Sequence, residues 1–189
     1  MEVVLASGSP RRLELLRRIG LDPIVRPADV DEAPLPDEAP EATVARLAAA
    51  KARTVDAPAG ALVIAADTEV VLDGRVLGKP ADAGAAADML RSLSGRSHRV
   101  ITGVHVRHGS AEAAVVEETT VHVRALTDDE VVAYVATGEP FGKAGAYAIQ
   151  GAGGMFVTGV EGSDTNVIGL PLATVVRLAD DVGVTLLPR

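Results

Sequence analysis

Leu5-Ala6-Ser7-Gly8-Ser9-Pro10-Arg11-Arg12-Leu13-Glu14-Leu15-Leu16 places a strand end, a small-residue turn and a helix start in one short stretch. Met1–Leu5 reads as a buried strand. Ser9 suits the N-cap of the following helix and Pro10 its first position, where a missing N–H is tolerated. Leu13, Leu16 and Ile19 recur at helical spacing up to Gly20. A strand that turns directly into a helix is the unit from which α/β proteins are built. The unexpected residues are Arg11 and Arg12, because a helix N-terminus already carries about half a positive charge and disfavours cations there. Two guanidinium groups, free backbone N–H groups and two serine hydroxyls at one spot suit an anion, and a phosphate above all. On this stretch alone, two solvated arginines on a surface helix fit equally well.

Composition narrows the alternatives. The chain has 189 residues, 48% of them apolar but only 2% aromatic. Its core must therefore be built from Val, Leu, Ile and Ala, and stacking of single-stranded nucleic acid on aromatic rings is disfavoured. A formal net charge of −8 argues against general DNA or RNA binding, while a local basic pocket for a small polyanion remains compatible. The absence of cysteine excludes disulfides, thiolate zinc sites and a thiol nucleophile. No signal-peptide pattern opens the sequence, and no apolar run approaches the roughly 18–20 residues of a membrane span. The expected setting is the cytoplasm, away from membranes.

Beyond Gly20, residues 26–42, rich in Pro, Asp and Glu, read as a loop, and residues 43–55 as a helix carrying Lys51. Ala61–Ala66 reads as a short buried strand. Val70–Leu77 reads as a hairpin about the turn signal Asp73-Gly74. Asp82–Leu93 reads as a helix, His98–Val106 and Val115–Val123 as long strands, and Thr127-Asp128-Asp129-Glu130 as a capping box opening a helix to about Ala136. Residues 138–154 form a glycine-rich loop, Gly162–Asn166 a tight polar turn, Phe156–Val160 a strand and Leu172–Asp181 a final helix. The expected fold is α/β, a mixed twisted β-sheet flanked by helices, with no internal repeat.

Asp67 follows the Ala61–Ala66 strand directly. A carboxylate at a strand end suits a general base or metal ligand, because the strand fixes its position; it equally suits a turn cap. The hairpin should return Lys79 toward Asp67, a pairing that fits metal-assisted phosphoryl chemistry or a plain salt bridge. Glu32, in the acidic loop with Asp29 and Asp31, could join Asp67 in holding a hard divalent cation. The four histidines lack metal-ligand or triad spacing and read as structural or exposed. In the glycine-rich loop, Lys143 is long enough to reach a phosphate. Gln150 offers the donors and acceptor that match a nucleobase edge. The loop is not a GxxxxGK[ST] phosphate loop.

Five blocks in order give these residues a context: LASGSPRR (5–12), AADTEVVLDGRVLGKP (65–80), SGRSHRVITGV (94–104), GEPFGKAGAYAIQG (138–151) and NVIGLPL (166–172). Together they resemble the Maf family of nucleoside triphosphate pyrophosphatases, once called septum formation proteins. The resemblance runs from Leu5 to Leu172. It implies an inosine triphosphate pyrophosphatase-like α/β fold, a single domain over residues 1–189 with room for two lobes around a central cleft, and a homodimer. It also implies hydrolysis of a nucleoside triphosphate to the monophosphate and pyrophosphate with Mg²⁺ or Mn²⁺.

Residue by residue, the resemblance makes Asp67 the catalytic carboxylate and, with Glu32, a metal ligand. It makes Ser7, Arg11, Arg12, Lys51 and Lys79 the phosphate-binding set, and ties Arg12, Thr68 and Gln150 to base choice. Arg12 and the Lys143–Tyr147 segment resemble the branch that prefers dTTP and UTP. The competing expectation is a non-catalytic nucleotide-binding regulator of septum formation, which would need the basic cluster but not Asp67. A purine enzyme of the inosine triphosphate type would share the fold without the KAGAYxIQG block.

Overall fold

The computed structural model describes residues 1–186. Its elements run β1 (Val3–Leu5), α1 (Pro10–Arg18), β2 (Ile24–Val25), α2 (Pro40–Thr54), β3 (Leu62–Leu72), β4 (Arg75–Leu77), α3 (Ala83–Leu93), β5 (Ser97–His108), β6 (Ala111–Val123), α4 (Asp128–Ala136), β7 (Val157–Glu161), α5 (Asp164–Ile168) and α6 (Leu172–Asp181). Short 3-10 turns lie at Ala144–Ala146 and Ala152–Phe156. The sheet is seven-stranded, in the order β2-β1-β3-β5-β6-β7 with β4 paired to β3. It is mixed: β1 runs parallel to β2 and β3, whereas β3–β4 and β6–β7 are antiparallel. The α/β class expected from the sequence is the class observed.

The chain divides into two compact units. The first holds Met1–Asp67, Thr102–Glu117 and the chain from Gly169; the second holds Thr68–Ile101 and Glu118–Ile168. In the first unit, the parallel register sets Val4 beside Val63. These residues form a core cluster with Ala6, Ala65 and, from α2, Ala52, while Val55 and Ala61 complete it. Small side chains let α2 lie close. Gly103 of β5 is closer still: a Cβ there would sit 2.3 Å from the Val44 carbonyl oxygen of α2 and 2.9 Å from the Ala45 nitrogen. Backbone cannot yield as a flexible side chain can. Gly103→Ala is therefore expected to cost about 2–3 kcal/mol and to lower Tm by roughly 4–12 °C. Thermal unfolding followed by circular dichroism measures it, and an unchanged Tm would contradict the close approach.

Local signals are realised where they are short-range. Helix α1 begins with Pro10 in its first turn and ends at Gly20 (φ 80°), with the Leu21 N–H bonded to the Leu16 carbonyl and that of Gly20 to Arg17. This is a Schellman stop. Asp73 (φ 50°) and Gly74 (φ 78°) both take positive φ, the type I′ geometry that matches strand twist. The Thr127–Glu130 capping box forms at α4.

Three expectations are corrected. The strand read as Ala61–Ala66 continues to Leu72, so Asp67 lies within β3 rather than at its end. The polar Asp67-Thr68-Glu69 step interrupts the apolar run but not the extended backbone. Gly162–Asn166 is not simply a turn, because α5 starts at Asp164. Ser9 occupies the N-cap of α1 without a side-chain cap bond; its N–H donates instead to Ser7 Oγ at 3.2 Å. The two-residue strand β2 has no counterpart in the reading above.

In the second unit, a separate core gathers Val70, Leu72 and Leu77 from the hairpin, Leu90 and Leu93 from α3, Val121 and Val123 from β6, and Tyr134, Tyr147 and Phe156. Tyr134 and Phe156 meet edge to face with ring centroids 4.9 Å apart.

Candidate active site

The first unit brings five of the expected residues together. Ser7 is buried in the turn between β1 and α1. Arg12, in the first turn of α1, is also buried, and donates through Nη1 to Ser7 Oγ (3.1 Å) and to the Ala66 carbonyl (2.7 Å), and through Nε to the Gly169 carbonyl (2.8 Å). Ala66 immediately precedes Asp67, so the guanidinium grips the backbone that carries the candidate catalytic carboxylate. Lys51, buried on the inner face of α2, bonds Asp67 Oδ1 at 2.7 Å and Glu32 Oε1 at 2.5 Å. Two carboxylates from distant parts of the sequence thus face one ammonium.

Arg11, half-buried, makes no hydrogen bond or ion pair among the described residues, and burial lowers its pKa. Burial also lowers the Arg12 pKa and the Arg11 charge adds to this, while the negative charges of Asp67 and Glu32 act against it. Two arginines, a helix start without a side-chain cap, and the Asp67–Lys51–Glu32 cluster therefore share one electrostatic neighbourhood. An unpartnered, half-buried cation at a helix N-terminus is the arrangement that an anion relieves.

The remaining expected residues belong to the second unit. Thr68 is half-buried on β3. Lys79 is exposed, two residues past the last hairpin pair, Val70 with Leu77. Gln150 is exposed in a turn closed by the Gly151 N–H on the Ala148 carbonyl, 3.1 Å. Lys143 is turned back on its own loop, with Nζ 2.5 Å from the Glu139 carbonyl.

The sequence reading missed the Gly169 carbonyl as a partner of Arg12. The NVIGLPL block was a signal that the segment mattered, but nothing local shows where its carbonyl points. It also missed the loop network around Glu139 described below.

His98 is buried with Nε2 2.8 Å from the Tyr147 hydroxyl, and burial, with a smaller contribution from His122, lowers its pKa to about 4. The unfolded chain, with an ordinary value near 6.5, binds the proton that the folded chain refuses. Stability from this residue is therefore complete above pH 6.5 and is lost as pH falls toward 4. Tm is expected to drop across that window, with a shallower slope in His98→Gln; equal slopes in the two proteins would exclude His98 as the cause.

The mixed-sheet α/β fold sets paired acids and a cluster of buried and half-buried cations at a strand–turn–helix junction, an arrangement chemically suited to a phosphorylated small molecule. The chain belongs to the Maf family: the model of that family, described as Maf-like protein, matches residues 2–182. A protein of Anaeromyxobacter sp. (strain Fw109-5), named dTTP/UTP pyrophosphatase, is 53% identical over 186 residues, covering 96% of this chain and 89% of its own length. One of the same name from Syntrophotalea carbinolica (strain DSM 2380 / NBRC 103641 / GraBd1) is 51% identical over 186 residues, covering 96% and 84%. Among solved structures, the Staphylococcus aureus Ham1 protein matches 65% of this chain and 72% of its own, with 17% identity and a TM-score of 0.45.

Proposed function

We propose that this protein hydrolyses a nucleoside triphosphate, with dTTP and UTP as the preferred class, to the nucleoside monophosphate and pyrophosphate. The observation that carries this reading is the convergence of Asp67 and Glu32 on Lys51 beside Arg11 and Arg12. The names of relatives above half identity supply the substrate class.

Asp67 and Glu32 present oxygen donors to a single cationic point, which Lys51 holds in this structure. Two carboxylates suit Mg²⁺ or Mn²⁺, since a hard cation keeps water and phosphate oxygens as its other ligands. Such an ion, when bound, neutralises phosphate charge and polarises the phosphoryl oxygens.

Asp67 orients a water and accepts its proton as the oxygen attacks the α-phosphorus in line. The bond from that phosphorus to the oxygen bridging to the β-phosphorus breaks, and pyrophosphate leaves. Ser7, Arg11, Arg12, Lys51 and Lys79 bind the phosphates and offset the charge that builds on the leaving group. Arg12 supplies charge while two of its nitrogens hold carbonyls in place. Arg12, Thr68 and Gln150 select the base. Among the described residues no helix is long and apolar enough to cross a membrane; a cytoplasmic homodimer completes the proposal.

The test is pyrophosphate release from a panel of canonical and modified nucleoside triphosphates, with Mg²⁺, with Mn²⁺ and with excess chelator. Turnover of dTTP and UTP above the purine nucleotides, abolished by chelator and restored by either metal, is expected. No turnover of any nucleotide with either metal would sink the activity.

A further inference from the structure

Gln150 stands at the tip of a glycine-rich turn, and a surface turn by itself is a poor platform for choosing a base. The surrounding loop removes this weakness. The Glu139 carboxylate accepts the Tyr134 hydroxyl at 2.7 Å and the Gly153 N–H at 2.9 Å on one oxygen, and the Ala152 N–H at 3.0 Å on the other. The same Tyr134 hydroxyl accepts the Ala148 N–H at 3.2 Å. Backbone on both sides of Gln150 is thereby tied to one tyrosine–glutamate pair.

Tyr134 is itself buried, at 2% exposure, and packed on Phe156. Glu139 is held from its other end, since its N–H donates to Thr137 Oγ1 at 3.1 Å. The glycines are what this contact demands. A Cβ on Gly151 would lie 2.4 Å from a Glu139 carboxylate oxygen, and one on Gly153 would lie 2.6 Å from the Tyr134 hydroxyl. Burial alone would raise the Glu139 pKa, but the Gly153, Tyr134 and Ala152 donors outweigh it and keep the group below its ordinary value. The Glu139 carboxylate therefore stays ionised across neutral pH and accepts from the neutral Tyr134 hydroxyl.

We propose that Glu139, acting with Tyr134, is the positioning residue for base selection, setting the turn that presents Gln150 to the nucleobase. This rests on the reading of Gln150 as a base-selecting residue. Glu139 touches no reacting atom, so its loss should act on recognition before chemistry.

The experiment compares wild type, Glu139→Gln, Tyr134→Phe, Gln150→Ala and the double variant Glu139→Gln/Gln150→Ala. Each is measured for kcat and KM with dTTP, UTP, CTP and GTP, and for Kd with the non-hydrolysable α,β-methylene analogues of dTTP and GTP. Glutamine keeps the shape of Glu139 but, with its amide oxygen on the Tyr134 and Gly153 donors, sets an N–H₂ against the Ala152 N–H. It is expected to raise KM for dTTP by about tenfold, more than it lowers kcat, and to bring the dTTP-to-GTP preference toward that of Gln150→Ala. Tyr134→Phe should shift the same ratio in the same direction by a smaller factor. The double variant should be no less selective than Gln150→Ala alone.

A uniform change for all four nucleotides, or independent additive losses in the double variant, would overturn the proposal. Absence of turnover in wild type would sink the proposed activity alone. The Kd ratio would then decide this inference: selective binding lost in Glu139→Gln supports it, and unchanged selectivity overturns it. A wild type that binds neither analogue overturns both.

Discussion

Asp67→Asn is expected to lower pyrophosphate release from dTTP by 10²–10⁴-fold, the usual contribution of a positioned general base. Asparagine keeps the size of the side chain and the β3 backbone, but it cannot take the proton of the attacking water. It also halves the negative charge that faces Lys51, leaving Glu32 as the remaining acid at 2.5 Å. The loss should therefore appear in kcat and in the dependence on divalent metal, while the fold survives, since Lys51 keeps one ionic partner. Steady-state pyrophosphate release measures the effect, with circular dichroism confirming the fold. Activity within tenfold of wild type would remove Asp67 from its role and move the base to another group.

Replacing Arg12 should have the largest effect on stability. In Arg12→Met, the Ala66 and Gly169 carbonyls and Ser7 Oγ lose a buried donor. Ser7 Oγ keeps the Ser9 N–H, but each buried carbonyl that loses its donor costs about 1–3 kcal/mol, and relief from burying a charge offsets only part of this. A net loss of about 4 kcal/mol corresponds to a fall in Tm of roughly 8–16 °C. Arg12→Lys should recover little, because one ammonium cannot span carbonyls that a planar fork reaches in different directions. Thermal unfolding of both variants tests this, and a Tm within about 2 °C of wild type for Arg12→Met would mean that the clamp contributes nothing. Where the variants remain folded, their nucleotide preferences show whether Arg12 also helps to select the base. A loss of equal size for every nucleotide would confine it to phosphate binding and backbone support.

The residues that announced themselves in the sequence are those whose interactions are local. Pro10, Gly20, the Asp73-Gly74 turn and the Thr127–Glu130 box act within a few residues, so their consequences follow from backbone sterics and nearby donors. The apolar rows of β1, β3 and the helices were legible for the same reason, since period and burial coincide. The continuation of β3 through Asp67-Thr68-Glu69 was not legible. Strand pairing is made by backbone groups, which a polar side chain leaves intact. The two-residue β2 carries too little sequence for any period.

The candidate site divides in the same way. Composition, charge and local chemistry sufficed to draw attention to Ser7, Arg11, Arg12, Glu32 and Asp67 and to expect an α/β protein that binds a polyanion, whereas Lys51 entered the set only through the resemblance to the Maf family. Only the folded chain sets Lys51 between Asp67 and Glu32, turns Arg12 onto the Gly169 carbonyl 157 residues away, and ties the turn of Gln150 to Glu139. A sequence states which groups exist and what their neighbours along the chain permit. Which buried donor meets which acceptor depends on closing long loops, and that choice is made by packing and by the cost of leaving a buried polar group unpaired.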